Sequence, residues 1–152
     1  MSMDTILVAV GDGDADRIDA FAETASDIAG SSGADVAIAY GFESDEYEAA
    51  KRTLEFDDDD EVTPDEIAKR KVTVRQLGDA LDAAGLESSP YGRVENGETM
   101  GERIVNFAKA LEFDLVIVGG RKRSPAGKAV FGSTAQEVML NAPCPVTFVR
   151  SD

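Results

Sequence analysis

Between Val116 and Thr134 the chain reads VIVGGRKRSPAGKAVFGST, and these residue types in this order suit the capture of an anion. A buried strand ends at Val118, the pair Gly119-Gly120 follows, and a basic loop carries Arg121, Lys122, Arg123 and Lys128. A helix then opens at Gly132-Ser133-Thr134. Glycines there let backbone N–H groups approach phosphate oxygens that a Cβ would hold off. The start of a helix adds free N–H groups and a favourable dipole, and Ser133 adds a hydroxyl donor. The four cations matter because the chain as a whole has 30 acidic and 15 basic residues, a formal net charge of −15. A loop that reverses the local sign of charge is what an anion requires. The plainer alternative is that these cations only neutralise neighbouring carboxylates. Strand, glycines, charge and helix start coincide at one place, and that favours the anion site.

Other chemistries fail on spacing. Gly127-Lys128 has the look of a phosphate-binding P-loop, but Gly120 is too far upstream and Ala129 stands where Ser or Thr must hold magnesium. Asp12, Asp14, Asp16 and Glu23 have calcium-loop spacing, yet Arg17 occupies the position of the sharp-turn glycine and a strand, not a helix, precedes them. These aspartates are expected to cap the helix that follows and to meet its dipole. The 152-residue sequence contains no histidine, which rules out Ser-His-Asp and Cys-His catalytic sets. Cys144, between Pro143 and Pro145, lacks a designated base and reads as a packing residue; as the only cysteine it forms no internal disulfide. No catalytic constellation emerges.

The elements that must position the anion loop follow from hydrophobic patterning. Thr5 to Val10 (TILVAV), Asp35 to Tyr40 (DVAIAY) and Asp114 to Val118 (DLVIV) are continuous apolar runs, as expected of strands buried on both faces of a parallel sheet. Tyr91 to Glu95 is a weaker strand and Val146 to Val149 a last one. Ile18, Phe21, Ala22, Ala25, Ile28 and Ala29 recur at helical spacing, with Gly30 and Gly33 ending the helix. Thr63 and Pro64 open another, with Ile67, Val74, Leu77, Leu81 and Ala84 as its buried stripe and Gly85 as its stop. Thr99 and Glu102 make a capping box for a helix whose apolar face is Ile104, Phe107, Ala108 and Leu111. A final short helix spans Ser133 to Leu140. Ser44 to Glu61 is acidic and irregular, a variable solvated loop with a short helix near Tyr47 to Leu54. Residues 1–152 make one α/β domain, a doubly wound open parallel five-stranded sheet with helices on both faces. In such a sheet ligands sit beyond the carboxyl ends of the strands, where the anion loop falls.

Composition narrows the setting. No apolar stretch is long enough to span a bilayer, and the N-terminus lacks the basic and apolar regions of a secretion signal, so a cytoplasmic location is expected. The acidic surface repels nucleic acid and anionic membrane. Low lysine beside abundant aspartate points to a haloadapted cytosol, where salt screens the self-repulsion.

Over its whole length the sequence resembles the universal stress protein family, whose fold is Rossmann-like and akin to that of adenine nucleotide alpha hydrolases. The family pattern after the fourth strand is glycine, two residues, glycine, nine residues, glycine, then serine or threonine; Gly119, Gly132 and Ser133 fall at matching positions. The opening ILVAV and the closing CPVTFVR look like the family's first and last strands. The acidic balance suggests a haloarchaeal type of member. Two departures stand out. Lys122 occupies the middle glycine position, and Gly11 replaces the family's nucleotide-contacting aspartate, with Asp12 one residue later.

The resemblance implies a nucleotide-binding regulatory protein of the stress response, with ATP, and magnesium accompanying its phosphates. Ala9, Val10, Gly11 and Asp12 with Tyr40 and Gly41 would frame adenine and ribose. Val118, Gly119, Gly120, Lys122, Gly132, Ser133 and Thr134 would hold the phosphates. Hydrolysis is at most slow, because no general base is placed for it. The resemblance also implies a homodimer through the last strand, Val146 to Val149, an edge strand open to pairing. Two other outcomes stay open: a dimeric interaction module of the same fold whose pocket takes no nucleotide, and, more weakly, an enzyme that activates a substrate with ATP.

Overall fold

A computed structural model describes residues 3–54, 62–121 and 132–151. Five strands, β1 (Thr5–Ala9), β2 (Asp35–Phe42), β3 (Ser88–Val94), β4 (Leu115–Arg121) and β5 (Val146–Ser151), form one sheet in the order β3-β2-β1-β4-β5. Every pairing is parallel. The helices are α1 (Ile18–Ser32), α2 (Ser44–Thr53), α3 (Pro64–Ala68), α4 (Val72–Ala83), α5 (Met100–Ala110) and α6 (Ser133–Asn141).

Side chains alternate across the sheet, and each face is covered. Ile6, Val8 and Ile117 join Phe21, Ile67, Leu77 and Leu81 in one buried cluster beneath α1, α3 and α4. Leu7, Val116 and Val118 join Val105, Phe107, Ala108 and Val138 in a second cluster beneath α5 and α6. Ile6, Leu7 and Val8 are wholly buried, which is why β1 is continuous rather than alternating in sequence. The doubly wound five-stranded arrangement is the one the sequence predicts.

Several local expectations are corrected. β4 does not stop at Val118 but runs on through Gly119 and Gly120, because Gly119 and Gly120 continue the ladder opposite Val149 and Arg150. β3 begins at Ser88, earlier than its weak apolar content suggests. The single helix expected from Thr63 to Gly85 is two. Thr63 does cap α3, its hydroxyl accepting from Glu66 N at 3.3 Å, but the chain turns at Lys71, whose backbone is extended, before α4 starts. Val72, Thr73 and Val74 restart it with β-branched residues of modest helix propensity, and the two pieces pack differently, α3 on β3 and α4 on α1. Ala84 and Leu111 end as exposed cap residues rather than members of a buried stripe. Gly30 lies inside α1, and Gly33, with φ 73°, is the left-handed residue that ends it. Within the acidic segment, Ser44–Thr53 is a helix, α2; residues 55–61 lie outside the described residues. The Thr99–Glu102 capping box forms as expected, at 3.1 and 3.2 Å.

Candidate functional site

From β1 the chain winds outward to β2 and β3; from β4 it winds the other way to β5. The direction therefore reverses between β1 and β4, and a crevice opens beyond the carboxyl ends of these two strands. A cavity of about 330 Å³ occupies it. Its apolar wall comes from Val10, Ala39, Met100, Ile104, Phe107 and Val118. That wall suits a flat ring system, and the volume lies near the small end of the about 300–1,000 Å³ typical of ligand cavities.

The β1 side is shaped by a short 3-10 turn, Asp12–Asp14. Val10 N donates to Ala39 O at 3.0 Å and ties the exit of β1 to β2. Gly11 N donates to Asp14 Oδ2 at 2.8 Å, and the other oxygen of that carboxylate accepts from Arg17 Nε. Asp14 thus braces this turn rather than capping α1, whose N-cap is Arg17 with no side-chain cap bond. The turn fills the link between β1 and α1, which begins at Ile18 as the sequence predicts.

The β2 side is polar at its rim. Tyr40 is 3% exposed and its hydroxyl donates to the Glu46 carboxylate of α2. The Lys71 ammonium lies 3.3 Å from Asp12 Oδ2, 3.6 Å from Glu46 Oε2 and 5.0 Å above the Tyr40 ring. Burial, reinforced by the hydrogen bond to Glu46, raises the Tyr40 phenol far above its ordinary range, so it remains a protonated donor. On α5, Arg103 is 6% exposed; Nε donates to Glu98 Oε1 at 2.7 Å and Nη1 to Phe42 O at 3.3 Å. It straps α5 to the end of β2. Met100, one turn earlier, packs on Gly41 so closely that a Cβ there would displace its side chain.

The third side is the start of α6. Gly132 is the N-cap with extended backbone, and a glycine supplies no capping side chain of its own. Thr134 and Ala135 line the cavity.

Of the residues singled out in the sequence, the fold brings Ala9, Val10, Gly11, Asp12, Tyr40, Gly41, Val118, Gly119 and Thr134 to one cavity wall. Gly132 and Ser133 stand next to it at the opening of α6 and are not among its lining residues. Gly120 departs from expectation. Successive strand residues point to opposite faces, and a Cβ on Gly120 would lie 2.9 Å from Phe148, on the β5 side. Lys122, with Arg123 and Lys128, lies outside the described residues. Sequence reasoning missed Arg17, Glu46 and Arg103. It also missed that Met100, Ile104 and Phe107, whose helical spacing reads as ordinary core, turn partly toward the crevice.

A sequence model of the universal stress protein family matches residues 3–150. This chain belongs to that family. A universal stress protein from Archaeoglobus fulgidus is similar in structure, with a TM-score of 0.70 and 27% identity over 97% of this chain and 98% of that one. The structure of the universal stress protein from the same organism in complex with dAMP aligns with a TM-score of 0.66 and 22% identity, over 99% of this chain and all of that one. A universal stress protein in complex with cAMP aligns over the full length of both chains, with a TM-score of 0.66 and 21% identity. At identities this low the last two likenesses establish the fold alone. No curated protein sequence matches the chain. Among the described residues, no helix of this universal stress protein is long and apolar enough to cross a membrane.

Proposed function

We propose that this universal stress protein is a regulatory protein of the stress response that binds an adenine nucleotide, with ATP as the expected ligand, in the crevice between β1 and β4. One observation carries the reading: a cavity at the topological switch point has an apolar wall for a base on its β2–α5 side and, on its β4–α6 side, a helix start whose N-cap is a glycine without a capping side chain. The bound dAMP and cAMP of structural neighbours support an adenine nucleotide as the class. The base would lie against Val10, Ala39, Ile104 and Phe107. The phosphates would face Gly119 and the first N–H groups of α6, with magnesium as their counter-ion. Asp12 and Tyr40 stand at the rim that a ribose would reach. Among the described residues of the cavity none is arranged as a general base for an attacking water, and binding is expected with at most slow turnover. A cytoplasmic setting fits this role.

Calorimetry of the purified protein with ATP, in high salt, tests the proposal. Gly132→Val is the informative variant. A Cβ at Gly132 meets nothing within 4 Å, so the fold tolerates the branch, which projects where the phosphate would approach. Loss of binding in a folded variant is expected; equal affinity in variant and parent would refute the assignment.

A second reading is a dimeric interaction module that takes no nucleotide. It is favoured by the pairing of the described cavity cations with the protein's own carboxylates: Arg17 with Asp14, Arg93 with Asp65, Arg103 with Glu98. Nucleotide extraction from the purified protein, followed by chromatography, separates the two readings. In both, the expected assembly is a two-fold dimer through β5.

A further inference from the structure

We infer that Arg93 reads the edge of the base at the β3 end of the crevice. Through it the site accepts 6-oxopurine nucleotides, those of hypoxanthine and guanine, at least as well as adenine nucleotides. The inference rests on the crevice being a nucleotide site and specifies which bases it takes.

Arg93 lies one residue before the end of β3, opposite Gly41 of β2, and lines the cavity. In the order β3-β2-β1-β4, three strand spacings of about 4.8 Å separate its strand from β4, about 14 Å in all. Arg93 therefore stands at the opposite end of the crevice from Gly119 and the start of α6, where phosphates would lie. Its guanidinium carbon is 4.4 Å from the centre of the Phe107 ring, a buried ring of the apolar wall. That cation–π contact fixes the group from one side. From another, Nη1 donates to Asp65 Oδ1 at 3.2 Å and to Gly92 O at 2.7 Å. Both bonds use the same nitrogen, and Asp65 is not a lining residue, so Nη1 is drawn away from the crevice. Nε and Nη2 make no bond among the described residues. The cavity's other arginines are placed differently. Arg103 donates through Nε to Glu98 Oε1 and through Nη1 to Phe42 O, and Arg17 lies beside Gly119.

The open edge of Arg93 decides which base edge suits it. Nε–H and Nη2–H project side by side, a fork that matches two neighbouring acceptors. Guanine and hypoxanthine present such a pair, O6 beside N7. Adenine sets the N6 amino group beside N7, so one arm of the fork meets a donor. A base packed on the Ile104–Phe107 wall brings an edge to Arg93. A 6-oxo edge satisfies both arms there, and an adenine edge satisfies one. No ion pair of the protein has to break for either.

The test is a calorimetric titration of the full chain with AMP, IMP and GMP, for parent, Arg93→Ala and Arg93→Gln. AMP and IMP differ only at position 6 and in the neighbouring N1 proton, so their ratio isolates the base edge. The parent is expected to bind IMP and GMP at least as tightly as AMP. Arg93→Ala should weaken IMP by about fivefold or more relative to AMP. That is the low end for a bidentate base contact, because the Arg93 side chain is 43% exposed. The amide of Arg93→Gln offers one donor and one acceptor, which suits adenine N6 and N7, and should turn the preference to AMP. It also keeps a long side chain over Phe107 should Arg93→Ala fail to fold. A merely structural role of Arg93 would weaken AMP and IMP alike and leave their ratio unmoved. A ratio unchanged within about twofold in the folded variants overturns the inference, as does a parent that binds AMP and not IMP; the nucleotide site then stands. A parent that binds none of the three overturns both.

Discussion

Gly119 and Gly132 bracket the same basic loop, but different forces require them to be small. Gly119 is fixed by the protein itself: a Cβ there would meet Phe21 Cζ at 2.6 Å, and Phe21 is wholly buried. Gly119→Ala is therefore expected to destabilise the fold by about 1–3 kcal/mol, the cost of overpacking a close-packed core, and thermal unfolding will show the lowered midpoint. Gly132 is not confined in this way. Gly132→Ser supplies a hydroxyl that can cap α6, so its melting temperature should equal or slightly exceed the parent's. If an anion uses those same N–H groups, its affinity should drop in that variant; a nucleotide affinity that stays unchanged would show that the first turn of α6 is not part of the site. The sequence made both glycines legible as a pair of landmarks around a ligand. It could not show that Gly120 turns away, because that depends on the strand continuing two residues further than its apolar run. Nor could it show Arg17 on the cavity wall beside Gly119, since that depends on which strand lies beside β1, and neighbourhood in the sheet is not written in local periodicity.

The two edge strands differ in their openness. On β3, Pro90 lacks an N–H, Gly92 N donates to Asp65 Oδ1 at 2.8 Å, and α3 packs against the strand. That edge is sealed by a proline and a side-chain cap, two devices by which sheets avoid unwanted pairing. α2 packs on α3, toward this sealed edge, not over β5. On β5 the donors divide by alternation. Val116 N donates to Pro145 O at 3.1 Å, so in a parallel ladder the Thr147 N–H points inward to β4 while those of Val146, Phe148 and Arg150 point to the free side. Proline at Thr147 would thus break the β4–β5 ladder and damage the fold. Arg150→Pro, at an exposed side chain, removes an outward donor and leaves the core alone. The expected result by light scattering is a dimeric parent and a monomer-shifted Arg150→Pro. A parent that is monomeric at micromolar concentration in high salt refutes the β5 dimer. The edge position of β5 was legible from its place at the end of a strand–helix alternation. The break between α3 and α4 was not, because Ile67, Val74 and Leu77 fit one continuous helical stripe whether or not the chain turns between them.

At the scale of the whole molecule, the net charge bears on every part of the surface at once. A formal −15 on 152 residues places many carboxylates at spacings where they repel unless salt intervenes. The screening length is about 10 Å at 0.1 M salt and about 3 Å at 1 M. We propose that the chain is adapted to high salt, and the unfolding midpoint should rise as KCl is raised from low to molar concentration; a flat curve would remove that proposal. Nucleotide affinity should fall over the same range if a phosphate is bound by charge, so the two titrations pull in opposite directions and should be measured together.

The sealed β3 edge limits growth. A sheet with two open edges can pass pairing from copy to copy, and a concentrated solution of such chains tends toward filaments. Here each copy offers one sticky strand and one blunt one. Joining two copies through β5 consumes both sticky strands and leaves an assembly whose outer borders are two blunt β3 edges. Scattered intensity per unit mass should climb with concentration and then level off at twice the monomer value, with no viscous or fibrous phase beyond it. A proline, a glycine and one aspartate would thus fix the stoichiometry of a crowded solution.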